Sequence, residues 1–177
     1  MAAVLSSMEV PTKADFYQAI TERTAQWYSL CLKITRDAHL AEDAVQVALI
    51  SAWTRRHQYQ HTARLDTWIS RIAVNAALQL LRKRQPDRWE VLETEIRDES
   101  VGPMGQRHAQ ELEQDLDTAL NELSDFERVC FVLKHLQQWR LQESVESLNT
   151  SIGRTKQGVF RATQKLRVSM KHLRSEA

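Results

Sequence analysis

The chain has 177 residues, of which 42% are apolar, and it contains only four glycines and three prolines. This length suits one large domain or two small ones, and the scarcity of turn-forming residues favours an all-α fold over a sheet. The net charge of +1 divides into +4 over residues 1–85, −7 over residues 86–118 and +4 over residues 119–177. Two basic segments on either side of an acidic one predict two helical modules joined by an acidic linker.

The sequence lacks the signals of several protein classes. Cys31 and Cys130 are isolated, so neither a disulfide framework nor a metal site is expected, and the chain is predicted to be cytoplasmic. Residues 1–10 do not resemble a signal peptide, and no apolar run is long enough for a membrane helix. There is no glycine-rich phosphate loop and no nucleophile elbow. We therefore expect no enzyme activity or catalytic residue, no metal or cofactor, no small-molecule substrate and no membrane insertion.

The first module is predicted to contain three helices. Apolar residues at helical spacing indicate a helix over residues 14–36, and Asp37 is positioned to cap the next one. The apolar face of that second helix is predicted to contain Leu40, Ala44, Val47, Ala48 and Ala52. After the polar break HQYQHTAR, Asp66 or Thr67 is predicted to cap a third helix, which ends at Pro86. The apolar stripe of the third helix is predicted to contain Leu65, Trp68, Ile69, Ile72, Ala73, Ala76 and Leu80.

The second module is predicted to follow an irregular linker over residues 87–109. Helix should resume near Arg107, with an apolar stripe made of Leu112, Leu116, Ala119, Leu120 and Leu123. Ser124 is predicted to cap another helix, after which come the short helix LQESVESL, a break at NTSIG and a long last helix. Two helices across a tight turn that contains glycine, the second of them basic, form a helix-turn-helix pattern.

The last helix contains RTKQGVFRATQKLR, a stretch with five cations and no acid. At about 100° per residue, Arg154, Arg161 and Lys165 fall on one side, near Gln157. The other side carries Val159, Ala162, Leu166, Met170 and Leu173. Such a helix can be a solvated surface helix, or it can place its cationic side in the major groove of DNA. The missing acids favour DNA binding, because solvated helices usually mix charges of both signs.

The order of these motifs resembles that of bacterial RNA polymerase sigma factors of the group IV, or extracytoplasmic-function (ECF), type. The resemblance covers roughly residues 14–86 and 110–174. AEDAVQVALISAW is similar to the family's core-polymerase-binding helix, usually A-E-D-x-V-Q-E. LDTWISRIAVNAALQLLRKR is similar to its promoter-melting segment, usually F-x-T-W-L-x-R-I-A-x-N-x-x-x-D-x-x-R. Residues 123–167 resemble the domain that recognises the −35 element.

The resemblance implies that residues 14–86 bind core RNA polymerase and recognise and melt the −10 element. The polymerase contacts would come from Glu42, Asp43, Gln46 and Trp53. The −10 contacts would come from Tyr59, His61, Arg64, Arg71, Asn75, Arg82, Lys83 and Arg84. The amide of Asn75 can bond to the edge of an unstacked base, although a local cap is an alternative. Trp68, on the apolar stripe, is assigned to the core rather than to base stacking.

Residues 110–174 would bind the −35 element. The contacts implied there are Ser151, Arg154, Lys156, Gln157, Phe160, Arg161 and Lys165. The acidic linker resembles the family's interdomain segment, and its composition also fits a plain tether. The partners implied are core RNA polymerase, promoter DNA and an anti-sigma factor.

Four departures from the family pattern bear on these expectations. Val47 replaces a glutamate that would pair with the polymerase, and Gln79 replaces an aspartate of the melting segment. Ser144 introduces a hydroxyl where an apolar residue normally packs. Val145 replaces an alanine at the helix crossing, where overpacking would cost about 1–3 kcal/mol.

Two other functions remain open from the sequence. The first is a sigma-like protein that sequesters an anti-sigma factor without binding promoters, as Val47 and Ser144 would suggest. The basic residues of the last helix argue against it. The second is a simple helix-turn-helix regulator that uses only residues 119–174, which would leave the RIAVN match unexplained.

Overall fold

The computed structural model of the chain describes residues 9–84, 86 and 109–175, with side chains described for 9–84, 86 and 114–170. These residues form helices joined by turns, with no strand among them, which confirms the predicted all-α fold. They belong to two compact units, one that ends at Arg84 and one that follows it. The predicted linker lies outside the described residues except for Ala109, and so does Arg107, where helix was expected to resume.

The described part of the first unit is built from three α-helices, α1 (Lys13–Thr35), α2 (Ala38–Thr54) and α3 (Leu65–Arg84), and a 3-10 turn (Arg56–Gln58) after α2. Thr12 caps α1 in a capping box with Asp15. Arg36 then adopts a left-handed conformation with φ of 55°, which ends α1. The Asp37 carboxylate accepts a hydrogen bond of 3.0 Å from the Leu40 amide, which confirms the predicted cap of α2.

Small side chains bring these three helices close together. The buried residues of α2 are Ala41, Ala44, Val45, Ala48 and Ala52. Helix α2 packs against both α1 and α3, and the buried residues of α1 include the large side chains of Trp27, Leu30 and Ile34. The prediction that Val47 belongs to the core is wrong, since this side chain is 45% exposed. The buried face is rotated away from it, because alanines rather than Val47 lie at the crossings.

The start of α3 also differs from the sequence prediction. The helix begins at Leu65, and the Arg64 carbonyl accepts the Trp68 amide hydrogen bond of 3.0 Å, so neither Asp66 nor Thr67 is the cap. The predicted apolar stripe is partly wrong, because Leu65, Trp68, Ile72 and Leu80 are only half-buried. The buried residues of α3 are Ile69, Ala73, Val74, Ala76, Ala77, Leu78 and Leu81.

The second unit contains α4 (Ala109–Leu120), α5 (Asp125–Phe131), a π-helical turn (Val132–Leu136), α6 (Leu141–Leu148) and α7 (Ile152–Ser175). Ser124 caps α5 as predicted, in a capping box with Glu127. Part of the core joins α4 and the turn after it to α7 through Ala119, Leu120, Leu123, Ala162, Leu166 and Met170. Leu112 and Leu173 of the predicted stripes lie outside the described side chains.

The connection between α6 and α7 forms the turn of the helix-turn-helix without glycine. Asn149 ends α6 in a left-handed conformation with φ of 50°, and α7 starts three residues later. Gly153 lies inside the first turn of α7, so the predicted glycine-containing turn is wrong. Asparagine tolerates the left-handed region better than most residues, which explains how the turn forms without glycine.

Candidate polymerase-binding and DNA-binding surfaces

The solvent face of α2 carries three of the four predicted polymerase contacts. Glu42 and Asp43 in one turn of the helix and Gln46 in the next are exposed. Two apolar side chains share this face, since Val47 is 45% and Ile50 is 68% exposed. Residues three and four positions apart on a helix are neighbours, so the face combines acidic, amide and apolar groups in one strip.

Trp53, the fourth predicted polymerase contact, is held within the first unit. Its ring meets that of Phe16 edge to face, with centroids 5.2 Å apart, and the Arg56 guanidinium lies 4.1 Å from its centroid. Phe16 is a buried residue of α1, so Trp53 fastens the end of α2 to α1. Its proposed contact with polymerase stays a prediction.

An aromatic cluster forms between α2 and α3. The Tyr59 ring lies 4.3 Å from that of His61 and 5.4 Å from that of Trp68, measured between centroids. The Tyr59 hydroxyl donates a 2.5 Å hydrogen bond to the Ala63 carbonyl, which closes the loop on itself. Burial and the nearby charge of Asp66 raise the pKa of Tyr59.

His61 has an unusual backbone conformation within this aromatic cluster. Its φ of 56° lies in the left-handed region, which costs energy for a residue with a Cβ atom. The Nε2 atom of its ring is 3.0 Å from the Glu9 carbonyl oxygen, so the residues before α1 contact the loop. Strained positions of this kind are frequent at binding sites.

A line of polar side chains follows the cluster along α3. Arg71, Asn75, Gln79 and Lys83 are all exposed and recur every four residues, so they occupy one face of the helix. Asn75 lies well inside α3, which argues against its alternative role as a local cap. We call these four residues the α3 polar strip; its N-terminal end lies next to Trp68.

The two arginines at the end of α3 are less available than their sequence positions suggest. Arg82 is half-buried, and burial lowers its pKa. Arg84 pairs with the carboxylate of Asp37, the residue that caps α2. The hydrogen bond from Leu40 and the bond from Arg84 lower the pKa of Asp37. Arg84 therefore joins the end of α3 to the start of α2.

Two residues of the predicted cationic side of α7, Lys165 and Arg154, turn toward α5. Lys165 places its Nζ atom 2.7 Å from Oε2 of Glu127, a carboxylate whose side chain is only 6% exposed. The Arg154 guanidinium lies 4.8 Å from the centroid of the Phe126 ring. Both side chains thus contact α5, and they help to fix α7 on the unit.

The outward side of α7 is offset from the predicted one. The buried residues that define its inner side are Thr155, Gly158, Ala162, Leu166 and Met170. Opposite them, at intervals of three or four residues, are Gly153, Lys156, Phe160, Gln164 and Arg167. Of the predicted −35 contacts, Lys156 is exposed and Phe160 half-buried on this outward strip, and Gln157 and Arg161, also half-buried, lie beside it.

Ser151, another predicted −35 contact, starts α7. Its hydroxyl oxygen accepts a 3.2 Å hydrogen bond from the Arg154 amide, and its carbonyl accepts a 3.0 Å bond from the Thr155 hydroxyl. A serine in this position satisfies a backbone donor at the start of a helix. Its side chain is exposed.

Gly158 is a structural feature of this unit that the sequence analysis did not single out. A Cβ atom at this position would lie 2.7 Å from Sγ of Cys130 and 2.8 Å from Cε1 of Phe126. Only a residue without a side chain lets α7 approach α5 this closely. Burial also raises the pKa of the Cys130 thiol to about 12.

The departures at Ser144 and Val145 are accommodated by the fold. Ser144 is buried, and its hydroxyl donates a 3.3 Å hydrogen bond to the Arg140 carbonyl. Val145 is only half-buried, so its side chain is not enclosed on all sides and the overpacking expected there is relieved. The neighbouring Glu143 accepts a 2.8 Å bond from the Arg140 amide and thereby caps α6.

Two negative findings apply to residues 9–84, 86 and 109–175. No three His, Cys, Asp or Glu side chains in these ranges are grouped as a metal site would require. No helix in the same ranges is both long and apolar enough to cross a bilayer.

Comparison with known proteins gives a consistent result over most of the chain. Residues 20–86 match the model of the family described as Sigma-70 region 2. The ECF RNA polymerase sigma factor SigW of Bacillus subtilis (strain 168) is 30% identical over 156 residues, which cover 82% of this chain and 83% of SigW. SigM of the same organism is 30% identical over 146 residues, or 79% of this chain and 85% of SigM.

Solved structures show the same similarity. The sigma factor RpoE, in its complex with the anti-sigma factor NepR from Bartonella quintana, has a TM-score of 0.60 and 25% identity. The match covers 89% of this chain and 97% of RpoE. CnrH, solved with the cytosolic domain of CnrY, has a TM-score of 0.54 at 18% identity, which supports the fold alone.

Proposed function

This chain belongs to the ECF RNA polymerase sigma factors, and we propose that its two units divide promoter recognition between them. The predicted module of residues 14–86, which holds the α-helices of the first unit, docks on core RNA polymerase and opens the −10 element. The second, residues 110–174, binds the −35 element as duplex. The chain contributes binding energy and no covalent chemistry, and it acts in the cytoplasm, where the polymerase transcribes.

The exposed face of α2 is the proposed docking surface for the polymerase. Asp43, Gln46, Val47 and Ile50 lie side by side there, with Glu42 at the edge. Burial of the two apolar side chains would supply affinity, and the acidic and amide groups would fix orientation. Val47 then replaces a charged contact by an apolar one, so the departure from the family pattern is compatible with docking.

The aromatic cluster and the α3 polar strip form the proposed surface for the opened −10 strand. Rings can stack with unpaired bases, the amide of Asn75 can bond to a base edge, and Arg71 and Lys83 can bind phosphates. The polar groups lie on consecutive turns of α3, with the rings at and before its start, which suits a single strand drawn along the helix. This arrangement, inside the segment that matches Sigma-70 region 2, is the observation that carries the proposal.

The outward strip of α7 is the proposed reader of the −35 element. Lys156 and Phe160 would enter the major groove from the N-terminal half of the helix, with Ser151, Gln157 and Arg161 at its edges. Arg154 and Lys165 keep their contacts with α5, so we assign them primarily to holding the helix.

An anti-sigma factor is the proposed regulatory partner. The RpoE structure to which this chain is similar was solved with such a protein bound. A purely sequestering role has lost part of its basis, since the buried hydroxyl of Ser144 is satisfied within α6. A simple regulator that uses only the second unit would leave the α3 polar strip without a function.

The test is promoter opening by a reconstituted holoenzyme. The purified chain is titrated with core RNA polymerase, and DNA that this complex transcribes is selected to obtain a promoter. Strand opening at −10 is then followed by permanganate footprinting. Asn75→Ala with Lys83→Ala should reduce opening while core binding persists, and Gln18→Ala, an exposed amide on α1, should behave as wild type. Opening that is unaffected by the double substitution would contradict the assignment of the −10 site.

A further inference from the structure

Asp66 lies at the junction between α1, the aromatic cluster and α3. Its Oδ1 atom accepts a 3.2 Å hydrogen bond from Nε of Arg64 and one of 2.9 Å from the Thr67 amide. Its Oδ2 atom is 3.1 Å from Nε of Arg23, on α1. The two carboxylate oxygens therefore bind two arginines from different parts of the first unit.

The exposure of these three side chains shows which of them is anchored and which is presented. The side chain of Asp66 is 15% exposed and that of Arg23 is 34% exposed, whereas the side chain of Arg64 is 76% exposed. A carboxylate that is mostly shielded from water holds its partners more strongly than a solvated one. Arg23 and Asp66 thus form the fixed part of the network, and Arg64 extends from it into solvent.

The atoms that form these bonds matter for Arg64. Its contact with Asp66 is made through Nε, so the edge formed by the two terminal nitrogens takes no part in that bond. A guanidinium bound through Nε can still use its two terminal nitrogens to donate two parallel hydrogen bonds to a phosphate. Long side chains lose rotamer freedom on binding, and an arginine that is already held loses less of it.

We propose that Asp66 is a positioning residue for −10 recognition, which holds Arg64 toward the DNA strand and ties the start of α3 to α1 through Arg23. This inference rests on the proposed function of the first unit. Asp66 makes no contact with DNA in this arrangement; it acts through Arg64. Tyr59 and Trp68 lie on the same loop and helix start, so the network also steadies the aromatic cluster.

The ionisation of Asp66 is consistent with this role. Burial raises its pKa, but the hydrogen bonds from Arg64 and Thr67 and the charges of Arg64 and Arg23 outweigh that effect, so its pKa is lowered. The carboxylate is therefore charged at neutral pH, as the binding of two arginines requires.

The experiment compares Asp66→Asn with wild type in the reconstituted holoenzyme. The asparagine keeps the volume and one acceptor, but it cannot bind both arginines with full charge. Opening at −10, measured by the fluorescence of 2-aminopurine in the promoter, should fall about tenfold, the equivalent of one charge-assisted hydrogen bond. Binding to core RNA polymerase and to −35 duplex should not change. Glu22→Gln, which removes one exposed negative charge from α1, is the matched control and should open the promoter as wild type does.

A double-mutant cycle separates positioning from a general structural effect. If Asp66 acts through Arg64, Asp66→Asn should have little further effect once Arg64→Ala is present. An equal loss in both backgrounds would overturn the inference, and so would wild-type opening by Asp66→Asn. If Asp66→Asn does not fold, as judged by thermal unfolding, Arg23→Gln enters the same cycle in its place. A wild-type protein that fails to open any promoter would instead contradict the proposed function itself.

Discussion

Substitution of Gly158 by alanine should destabilise the second unit, although alanine is the better helix former. The added Cβ atom would lie 2.7 Å from Sγ of Cys130 and 2.8 Å from Cε1 of Phe126, and the Cys130 Cβ atom is 3.2 Å away. Overpacking of this kind costs about 1–3 kcal/mol, whereas the gain in helix propensity is about 1 kcal/mol. Because two of these contacts are shorter than 3.0 Å, the upper part of that range applies, about 2–3 kcal/mol, and the net loss is about 1–2 kcal/mol. For a unit of this size, that loss lowers the melting temperature by about 4–16 °C.

Two further variants make this prediction specific to the contact. Gly153→Ala adds the same methyl group to the same helix, at an exposed position with no atom within 4 Å, and should be neutral or stabilising. Cys130→Ala removes the nearest atom, so Gly158→Ala should cost less in that background, although the Phe126 contact remains. Thermal and urea unfolding followed by circular dichroism measure wild type, the three single variants and the Cys130→Ala/Gly158→Ala double variant. Equal melting temperatures for Gly158→Ala and wild type would refute the close approach of α7 to α5, and strict additivity with Cys130→Ala would show that the thiol is not the limiting contact.

Three other predictions concern single surfaces. Lys165→Met should lower the stability of the second unit by at most about 1–2 kcal/mol, because it leaves the buried carboxylate of Glu127 without its half-exposed partner. Lys156→Met should leave stability unchanged and should lower −35 affinity with a smaller salt dependence. The reverse pattern in unfolding and salt titrations would contradict the assignment of Lys165 to helix packing and of Lys156 to DNA binding. Ile50→Ala should weaken binding to core RNA polymerase about tenfold, because apolar area buried in the complex is lost. Tyr17→Ala, which removes a similarly exposed side chain from α1, should leave this binding unchanged. Equal effects of the two variants in a fluorescence titration would reject the exposed face of α2 as the docking surface. Asp37→Asn keeps the cap of α2 and removes the charge that pairs with Arg84. Because the pKa of Asp37 is lowered in the native state, its ionised form stabilises the fold above about pH 4, and this contribution is lost as the pH falls through the native pKa. The difference in melting temperature between variant and wild type should therefore shrink on acidification, and a difference independent of pH would count against the Asp37–Arg84 pair.

Features fixed by neighbours in sequence were predictable. The caps at Asp37 and Ser124 depend on residues within three positions, and the structure contains both. The exposed position of Asn75 follows from helical spacing within α3, which sets neighbouring side chains on known faces. The all-α fold itself follows from patterns of the same short range.

Features that depend on packing between helices were not predictable. Val47 has an apolar side chain, and periodicity alone assigned it to the core; alanines at the α2 crossings turn that helix so that Val47 faces solvent. The partners of Lys165 and of Asp66 are separated from them by 38 and 43 residues, so no local pattern joins them. Gly158 likewise has its meaning only through α5, and a glycine inside a helix indicates no particular partner.

Pairs of this long-range kind change what the basic residues of the chain imply. Counting cations along the sequence treats each as a candidate contact with DNA, yet Arg84 pairs with Asp37, Lys165 with Glu127 and Arg23 with Asp66. Each pair joins two helices of one unit, and each carboxylate lies at or next to the start of a helix. A cation that already has an acidic partner releases fewer counterions when DNA binds, so it contributes less to affinity and to its salt dependence. Cations that have such partners hold the helices in place, and we propose that Lys83 of the α3 polar strip and Lys156 of the outward strip of α7 bind the promoter.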